Sequence, residues 1–178
     1  ETGEHLLQRI LEDRKALAKG KRTAVNQPDP DGLPDCPEGW AWATCDAAID
    51  SIDAGASFKC EERPPEPGEV GVLKVSALTW GTYDERESKT CKDEGRIEEK
   101  YLVRDGDFLF SRANTIELVG ACVIVGKTTK QLMLSDKTLR FKLDKRLLPD
   151  WLLICLRCRF GRDEIERLAT GNQESMRN

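Results

Sequence analysis

The segment between residues 101 and 126 constrains the fold most, because it contains two strand patterns separated by a polar turn. A charged turn at residues 104–107 leads into the apolar run 108–110, and a second β-rich run covers residues 119–125. These patterns predict two strands joined by a tight polar elbow at residues 111–114. At least part of the chain is therefore expected to form a β-sheet.

Composition divides the chain into three parts. Apolar side chains in residues 4–19 recur at helical spacing on a charged segment, which predicts an amphipathic helix that is the end of a longer one. Residues 20–39 contain four prolines and no periodic pattern, which predicts a linker. A folded domain is expected to begin at Trp40, to occupy residues 40–178, and to continue beyond them.

Within the predicted domain, helices and strands follow each other without the regular βα order of a parallel sheet. Pro149 follows two leucines, a favoured first position of a helix, and Gly161 is expected to end that helix. The other predicted elements are strands at 40–45 and 71–78, a short helix at 47–53, a polar loop or weak helix at 79–96, a hairpin at 130–144 and a last helix at 162–169.

These elements predict an α+β fold, with a curved mixed or antiparallel β-sheet flanked by short helices. Three tryptophans, Trp40, Trp42 and Trp151, are interpreted as core side chains. No apolar run is long enough for a transmembrane helix, so no membrane contact is expected.

Charge is unevenly distributed. The net charge is −4, and residues 1–100 hold 14 Lys and Arg against 22 Asp and Glu. Between residues 127 and 162, ten basic residues stand against three acidic ones. The negative total argues against nucleic-acid binding and the basic segment argues for it, while a solvated basic face explains the segment equally well.

The sequence contains no evident catalytic or metal-binding arrangement. His5 is the only histidine, and the CxxC formed by Cys155 and Cys158 lies within a helical pattern, so neither a zinc site nor a nucleophile–base pair is expected. Seven cysteines match no disulfide framework and are interpreted as buried free thiols of a reducing cytoplasm. The chain is therefore predicted to be a cytoplasmic, non-catalytic module without a cofactor or metal.

Four segments, in order, resemble the target recognition domain of the specificity subunits of type I restriction-modification enzymes. They cover most of the chain from Leu33 onward, and the match depends on their order. The matching segments are LPDCPEGWAWATCDAAI, GVLKVSAL, YLVRDGDFLFSRANTIELVGACVIV and LLPDWLLICLRCRFGRDEIERLATGNQESMRN.

The resemblance implies a role in DNA recognition. A specificity subunit carries two such domains, separated by long helices that form an antiparallel coiled coil, and each domain reads one half of a split site in double-stranded DNA. Methyltransferase and restriction subunits dock on it and carry out adenine methylation and DNA cleavage. Residues 1–19 resemble the end of the first spacer helix, which would make this the second recognition domain.

Residue chemistry nominates candidate DNA contacts on two loops. Arg112 and Asn114 carry the groups that pair with guanine and adenine edges, but Asn114 is equally suited to capping a turn and Arg112 to pairing with Asp107. Trp80 and Tyr83 lie in the polar loop, where they are expected either to contact DNA or to fold back into the core.

The remaining candidates are suited to the DNA backbone. Gly171, Asn172 and Gln173 would allow a close approach to the backbone, or Gly171 would cap a helix at its C′ position. Basic side chains that suit phosphate contacts are Lys127, Lys130, Arg159 and Arg162.

Three alternatives remain open. The chain is also compatible with the recognition segment of a single-chain restriction-modification enzyme. A second alternative is a protein-interaction domain whose basic face binds an acidic partner and whose helix at residues 4–19 mediates oligomerisation. A third, a standalone nuclease, requires metal-dependent cleavage without partners.

Overall fold

The computed structural model describes residues 1–17, 25–29 and 31–171. The chain separates into two compact units. The first consists of Glu1–Asp50 with Leu143–Arg146, and the second of Ser51–Lys142 with Leu147–Asn178. The domain limits predicted from composition remain predictions.

The first unit contains the predicted amphipathic helix. Helix α1 spans Gly3–Leu17, and Ile10 on this helix is only 3% exposed. A second helix, α2, spans Cys45–Ala48. The Arg14 guanidinium donates to the backbone carbonyls of Asp46 and Ile49, which ties α1 to the end of α2.

Two predictions for residues 40–53 are wrong. Residues 40–44 form no strand, because the Trp42 indole donates to the Pro34 carbonyl at 2.9 Å and the Thr44 hydroxyl to the Asn26 carbonyl at 2.8 Å. The helix predicted at 47–53 is replaced by α2 and a strand, β1, over Ile49–Ala54. Side-chain alternation over six residues is too short a signal to separate a strand from a coil held by side-chain hydrogen bonds.

Asp144 is held in an ion pair whose contribution to stability is expected to depend on pH. Arg146 donates to both Asp144 carboxylate oxygens at 2.8 and 2.6 Å and to Asp13 at 2.7 Å. These hydrogen bonds lower the pKa of Asp144 from its ordinary 3.8 to about 2, against the opposing effect of burial. A lowered pKa means that the ion pair contributes stability above about pH 3.8 and loses it as the pH falls through about 2.

Asp144→Asn is therefore expected to lower the free energy of unfolding at pH 7 and to have a progressively smaller effect as the pH falls toward 2. Urea unfolding of the variant and its parent at several pH values measures this. Asp136→Asn removes an exposed carboxylate paired with Lys137 and serves as the control, with a small effect expected. A deficit for Asp144→Asn that does not change with pH would contradict the prediction.

The second unit contains two four-stranded sheets. The first sheet has the order β1-β8-β5-β6, and the second has the order β2-β4-β3-β7. In the second sheet β3 pairs with β4 antiparallel and with β7 parallel. The remaining strands are β2 Cys60–Glu61, β3 Val70–Leu73, β4 Ser88–Cys91, β5 Phe108–Ser111, β6 Cys122–Ile124, β7 Gln131–Met133 and β8 Thr138–Leu143.

The α+β prediction is confirmed, with mixed and antiparallel strands and short helices. The strands lie in two sheets rather than one, however, and β4 falls inside the segment predicted to be a loop or weak helix. Apolar side chains from both sheets pack together in one shared core. Its members are Leu73, Ala77, Leu78, Val103, Leu109, Val123, Val125, Leu132 and Leu134.

The predicted hairpin at 130–144 is wrong, although both of its strands exist. β7 pairs with β3, and β8 pairs with β5, so the two strands belong to different sheets. Leu132, in β7, and Leu134, just after it, are both fully buried between the sheets. Alternation identifies a strand, but it does not identify which neighbour the strand pairs with.

Two helices complete the second unit. Helix α3 spans Pro149–Arg157 with Pro149 in its first turn, as predicted, and α4 spans Arg159–Leu168. The break between them falls at Cys158, so Gly161 does not end a helix. A Cβ atom at Gly161 would lie 2.1 Å from the Cys155 carbonyl oxygen, so glycine is required there by a close backbone approach.

Two further core assignments are wrong. Trp40 is 55% exposed and Trp151 is 45% exposed, while Leu152 and Leu156 supply the buried side of α3. The interpretation of the cysteines as buried thiols holds only in part. Cys91 and Cys122 are buried, whereas Cys36, Cys45 and Cys158 are exposed.

Candidate nucleic-acid interface

The elbow that follows β5 presents one of its two predicted contacts to solvent. Arg112 is exposed, and its backbone N–H donates to the Lys137 carbonyl at 3.0 Å, which places the elbow beside the turn that precedes β8. The elbow has a rigid base, because β5 is hydrogen-bonded to β6 on one side and to β8 on the other. Lys137 is a basic neighbour that the local sequence pattern did not reveal.

Asn114, in contrast, is only 5% exposed. Its amide nitrogen donates to the Ser111 hydroxyl at 3.3 Å, and its amide oxygen accepts from the Thr115 N–H at 2.9 Å. Its side chain is thus used to stabilise the elbow, which favours the turn-capping alternative. A base contact by Asn114 remains a prediction.

The alternative partner for Arg112 is engaged elsewhere. The Asp107 carboxylate accepts from Arg140 at 3.1 Å, and the Arg140 side chain is 9% exposed. Arg140 also donates to Asp53 at 2.6 Å and to the carbonyls of Leu102 and Lys100 at 2.8 and 2.7 Å. This buried guanidinium connects β8, β1 and the charged turn before β5, which explains why a basic residue occupies a core position.

Trp80 and Arg162, nominated separately from the sequence, lie in contact. The Arg162 guanidinium carbon is 4.6 Å from the centre of the Trp80 ring, and the Trp80 indole donates to the Glu117 carbonyl at 2.6 Å. Stacking on an aromatic ring holds a guanidinium in one orientation without neutralising its charge. A weaker contact to Glu166 at 3.7 Å lies within the same helix.

The loop at residues 115–121 packs closely against α4, the helix that carries Arg162, at a glycine. Gly120 has a φ of +78°, and a Cβ atom there would lie 2.5 Å from a methyl group of Ile165 on α4. The close approach brings the loop that carries Glu117 against the helix that carries Arg162.

Tyr83 folds back rather than pointing into solvent. It packs against the core between the two sheets, and its backbone forms an isolated bridge with Leu78. Burial raises the pKa of its hydroxyl to about 12. The core alternative is thus the one that its position favours, and Tyr83 anchors the loop that precedes β4.

The loop at residues 127–130 carries two predicted phosphate contacts. Lys127 is exposed and Lys130 is half-buried. The backbone between them is held by two carboxylates, because Asp105 accepts from the Thr128 N–H at 2.8 Å and Glu85 accepts from the Thr129 N–H at 2.8 Å. Glu85 had no distinguishing sequence signal, since its partners lie more than 40 residues away.

The candidates near the end of the described chain differ in their surroundings. Arg159 is exposed and lies 3.6 Å from Asp163 on the same helix. Gly171 is exposed with a φ of +114°, but α4 is capped by Ala169, so the interpretation of Gly171 as its C′ residue is wrong. Asn172 and Gln173 lie outside the described residues.

The basic segment 127–162 does not form one continuous basic face. Within the second unit, Arg140 is buried in ion pairs, and Arg157 donates to the Cys122 carbonyl at 2.7 Å. Among the candidate contacts, the exposed or half-buried cations come from the elbow, the 127–130 loop and α4. A count of charges along the chain therefore overstates the charge available to a ligand.

Two features are missing from the described residues. Within them, no three His, Cys, Asp or Glu side chains are grouped so that they would hold a metal ion. No helix in the same part of the chain is both long and apolar enough to cross a membrane.

The chain is similar to curated proteins of one kind. It is 32% identical over 185 residues to the type I restriction enzyme EcoEI specificity subunit of Escherichia coli, a match that covers 100% of this chain and 31% of that protein. The chain is homologous to type I restriction enzyme specificity subunits. This confirms the resemblance carried by the four sequence segments.

A second curated protein and one solved structure are also similar to the chain. This chain is also 32% identical over 95 residues to the EcoKI specificity subunit of Escherichia coli strain K12. The match covers 50% of this chain and 20% of that subunit. The HsdS subunit from Thermoanaerobacter tengcongensis superposes with a TM-score of 0.49 and 18% identity over 97% of this chain and 37% of that one. No protein-family model matches. The chain spans about a third of the length of the EcoEI subunit.

Proposed function

We propose that this chain is a target recognition domain that reads one part of a bipartite site in double-stranded DNA. The observation that carries the proposal is the 32% identity to a specificity subunit over the whole of the chain. The exposed Arg112 on a strand-supported elbow, and Arg162 stacked on Trp80, support it with chemistry suited to bases and phosphates.

In this proposal the chain supplies recognition, and partner subunits supply chemistry. Methyltransferase and restriction subunits dock on the specificity subunit and methylate adenine or cut DNA, in the cytoplasm, where the DNA is. The proposal requires no cofactor or metal on this chain. Arg112 reads a base edge, and the cations at Lys127, Lys130 and Arg162 hold the phosphate backbone.

Selection of duplexes from a random library by the full-length protein, repeated at several salt concentrations, tests the proposal. A short, reproducible sequence motif, bound more weakly as salt increases, is the expected result. Recovery of no motif, or binding that is equal for all duplexes, would instead favour the alternative in which the basic groups serve a protein partner or nonspecific binding.

Arg112→Ala is expected to weaken binding to the selected site by about 1–3 kcal/mol, because one bidentate pair with a guanine edge is lost. Arg112→Lys retains the charge but not the fork of donors, so it is expected to lose a similar amount on the selected site. Fluorescence anisotropy on selected and scrambled duplexes measures both variants.

Arg9→Ala, on α1, removes one exposed positive charge and serves as the control. It is expected to leave the preference for the selected duplex unchanged. If Arg112→Lys kept the full preference, Arg112 would contribute only charge, and the assignment of base reading to Arg112 would fail.

A further inference from the structure

One carboxylate organises the loop that carries Lys127 and Lys130. Oxygen Oε2 of Glu85 accepts from the Thr129 N–H at 2.8 Å, the Thr128 hydroxyl at 3.0 Å and the Lys130 N–H at 3.3 Å. Oxygen Oε1 accepts from the Thr129 hydroxyl at 2.6 Å. Four hydrogen bonds from three consecutive residues thus converge on a single side chain.

Glu85 is itself held in place. The residue before it, Asp84, donates its N–H to the Ala77 carbonyl at 3.0 Å, and the preceding Tyr83 packs in the core between the sheets. Burial acts to raise the pKa of Glu85, but the hydrogen bonds from Thr129 and its neighbours outweigh burial, and the pKa is lowered. This carboxylate, which we call the clamp of the 127–130 loop, is therefore charged at neutral pH. The Glu85 carboxylate is therefore carried by a backbone that is itself attached to the core.

Glu85 and Asp105 hold the loop through its backbone amides. Asp105 holds the Thr128 N–H at 2.8 Å, so three consecutive N–H groups of the loop are engaged by carboxylates. Ordering a loop before binding lowers the entropy that binding costs. Lys127 directly precedes these three residues, and Lys130 is the last of them.

We propose that Glu85 is a positioning residue for DNA binding, an acidic side chain that strengthens the capture of a polyanion by holding two lysines in the orientation that meets its phosphates. This inference rests on the proposed function. It assigns a DNA-binding role to a residue whose charge alone opposes DNA binding.

The sign of the effect separates positioning from charge. If Glu85 acted only through its charge, its removal would strengthen DNA binding by reducing repulsion. With the clamp lost, Glu85→Ala is instead expected to weaken binding on the order of tenfold and to reduce the salt dependence of log Kd by about one to two, the contribution of two phosphate contacts.

Two variants distinguish the loss of hydrogen bonds from the loss of charge. Glu85→Gln removes the charge but keeps an acceptor for the Thr129 and Lys130 N–H groups, so binding is expected to remain within about twofold of the parent or to become tighter. Thr129→Val removes one hydroxyl donor and no charge, so it is expected to weaken binding by a few-fold, whereas a charge-only effect predicts no change.

The controls are one acidic and one basic substitution. Glu94→Ala removes an exposed carboxylate of the same unit and is expected to leave binding unchanged or slightly tighter. A Lys127→Ala/Lys130→Ala double variant defines the loss that corresponds to both lysines. All variants are made in the full-length protein and titrated with the same duplex at several salt concentrations.

Hydrogen exchange of the Thr129 and Lys130 amides reports the clamp directly, without DNA. It is expected to accelerate in Glu85→Ala and not in Glu94→Ala. If the parent does not bind DNA, the proposed function fails. If the parent binds and Glu85→Ala binds as tightly as Glu94→Ala, the positioning role is refuted while the proposed function stands.

Discussion

Replacing Gly55 with alanine is expected to lower the free energy of unfolding by about 3 kcal/mol, at the upper end of the cost of overpacking. An added Cβ would lie 2.1 Å from the Ser135 carbonyl oxygen and 2.5 Å from the carbonyl carbon and oxygen of Leu134. These are backbone atoms, which cannot rotate away as the end of a side chain can. Urea unfolding of the variant and its parent measures the effect.

The clash falls at a point where several contacts meet. The Gly55 N–H donates to the Thr138 carbonyl at 3.2 Å, and the adjacent Ala56 forms a bridge with Ser135. Leu134 is fully buried in the core between the sheets. Relief of the clash therefore requires movement either of the segment after β1 or of the chain between β7 and β8.

Gly126→Ala is the matched control for the same chemical change. No atom lies within 4 Å of a Cβ added at Gly126, so this variant is expected to be neutral or more stable by a few tenths of a kcal/mol, through reduced freedom of the unfolded chain. Equal stability of the two variants would show that the chain around Gly55 yields easily.

Loss of the buried guanidinium at Arg140 is the second large effect. Arg140→Ala is expected to destabilise the protein by about 3–5 kcal/mol, the usual result when one partner is removed from a buried ion pair. Asp53 and Asp107 would lose the cation they share, and the carbonyls of Leu102 and Lys100 would lose their donors.

Arg140→Lys tests whether charge alone is sufficient. A lysine has one compact ammonium group in place of the planar guanidinium, so it cannot reach two carboxylates and two carbonyls together, and most of the loss is expected to remain. Arg104→Ala breaks an exposed ion pair with Glu99 at 2.6 Å and is expected to cost less than about 1 kcal/mol. Unfolding that is unchanged in Arg140→Lys would refute the importance of the donor geometry.

The Arg140 cluster also connects stability with the proposed binding surface. Asp107 lies in the turn that contains Asp105, and Asp105 holds the loop of Lys127 and Lys130 through the Thr128 N–H. A variant that loosens this turn while the protein remains folded is therefore expected to weaken DNA binding as well.

Periodic local patterns identified several elements in advance. The helix at Gly3–Leu17, the strand Phe108–Ser111 and the helix that begins at Pro149 lie close to where spacing and turn residues predicted them. Each depends on contacts within a few residues, such as an apolar stripe or a proline at a helix start. The family resemblance was likewise recognisable, because it depends on the order of segments.

Candidate contacts were predicted by residue type, which does not specify where a side chain points. Arg112 and Lys127 are exposed, as binding requires. The Asn114 amide, in contrast, is hydrogen-bonded within its own turn, and Tyr83 packs against the core. Glu85 and Arg140 had no local signal, because their partners are brought to them by strands far away in sequence.

By itself, the sequence determined the type of most elements, the α+β class and the homology to specificity subunits, since these depend on short-range spacing and segment order. Only the tertiary structure decided that β7 and β8 lie in different sheets, that Trp80 meets Arg162, and that Glu85 holds the 127–130 loop. Strand pairing and long-range hydrogen bonds depend on how the whole core packs, and no local pattern contains that information.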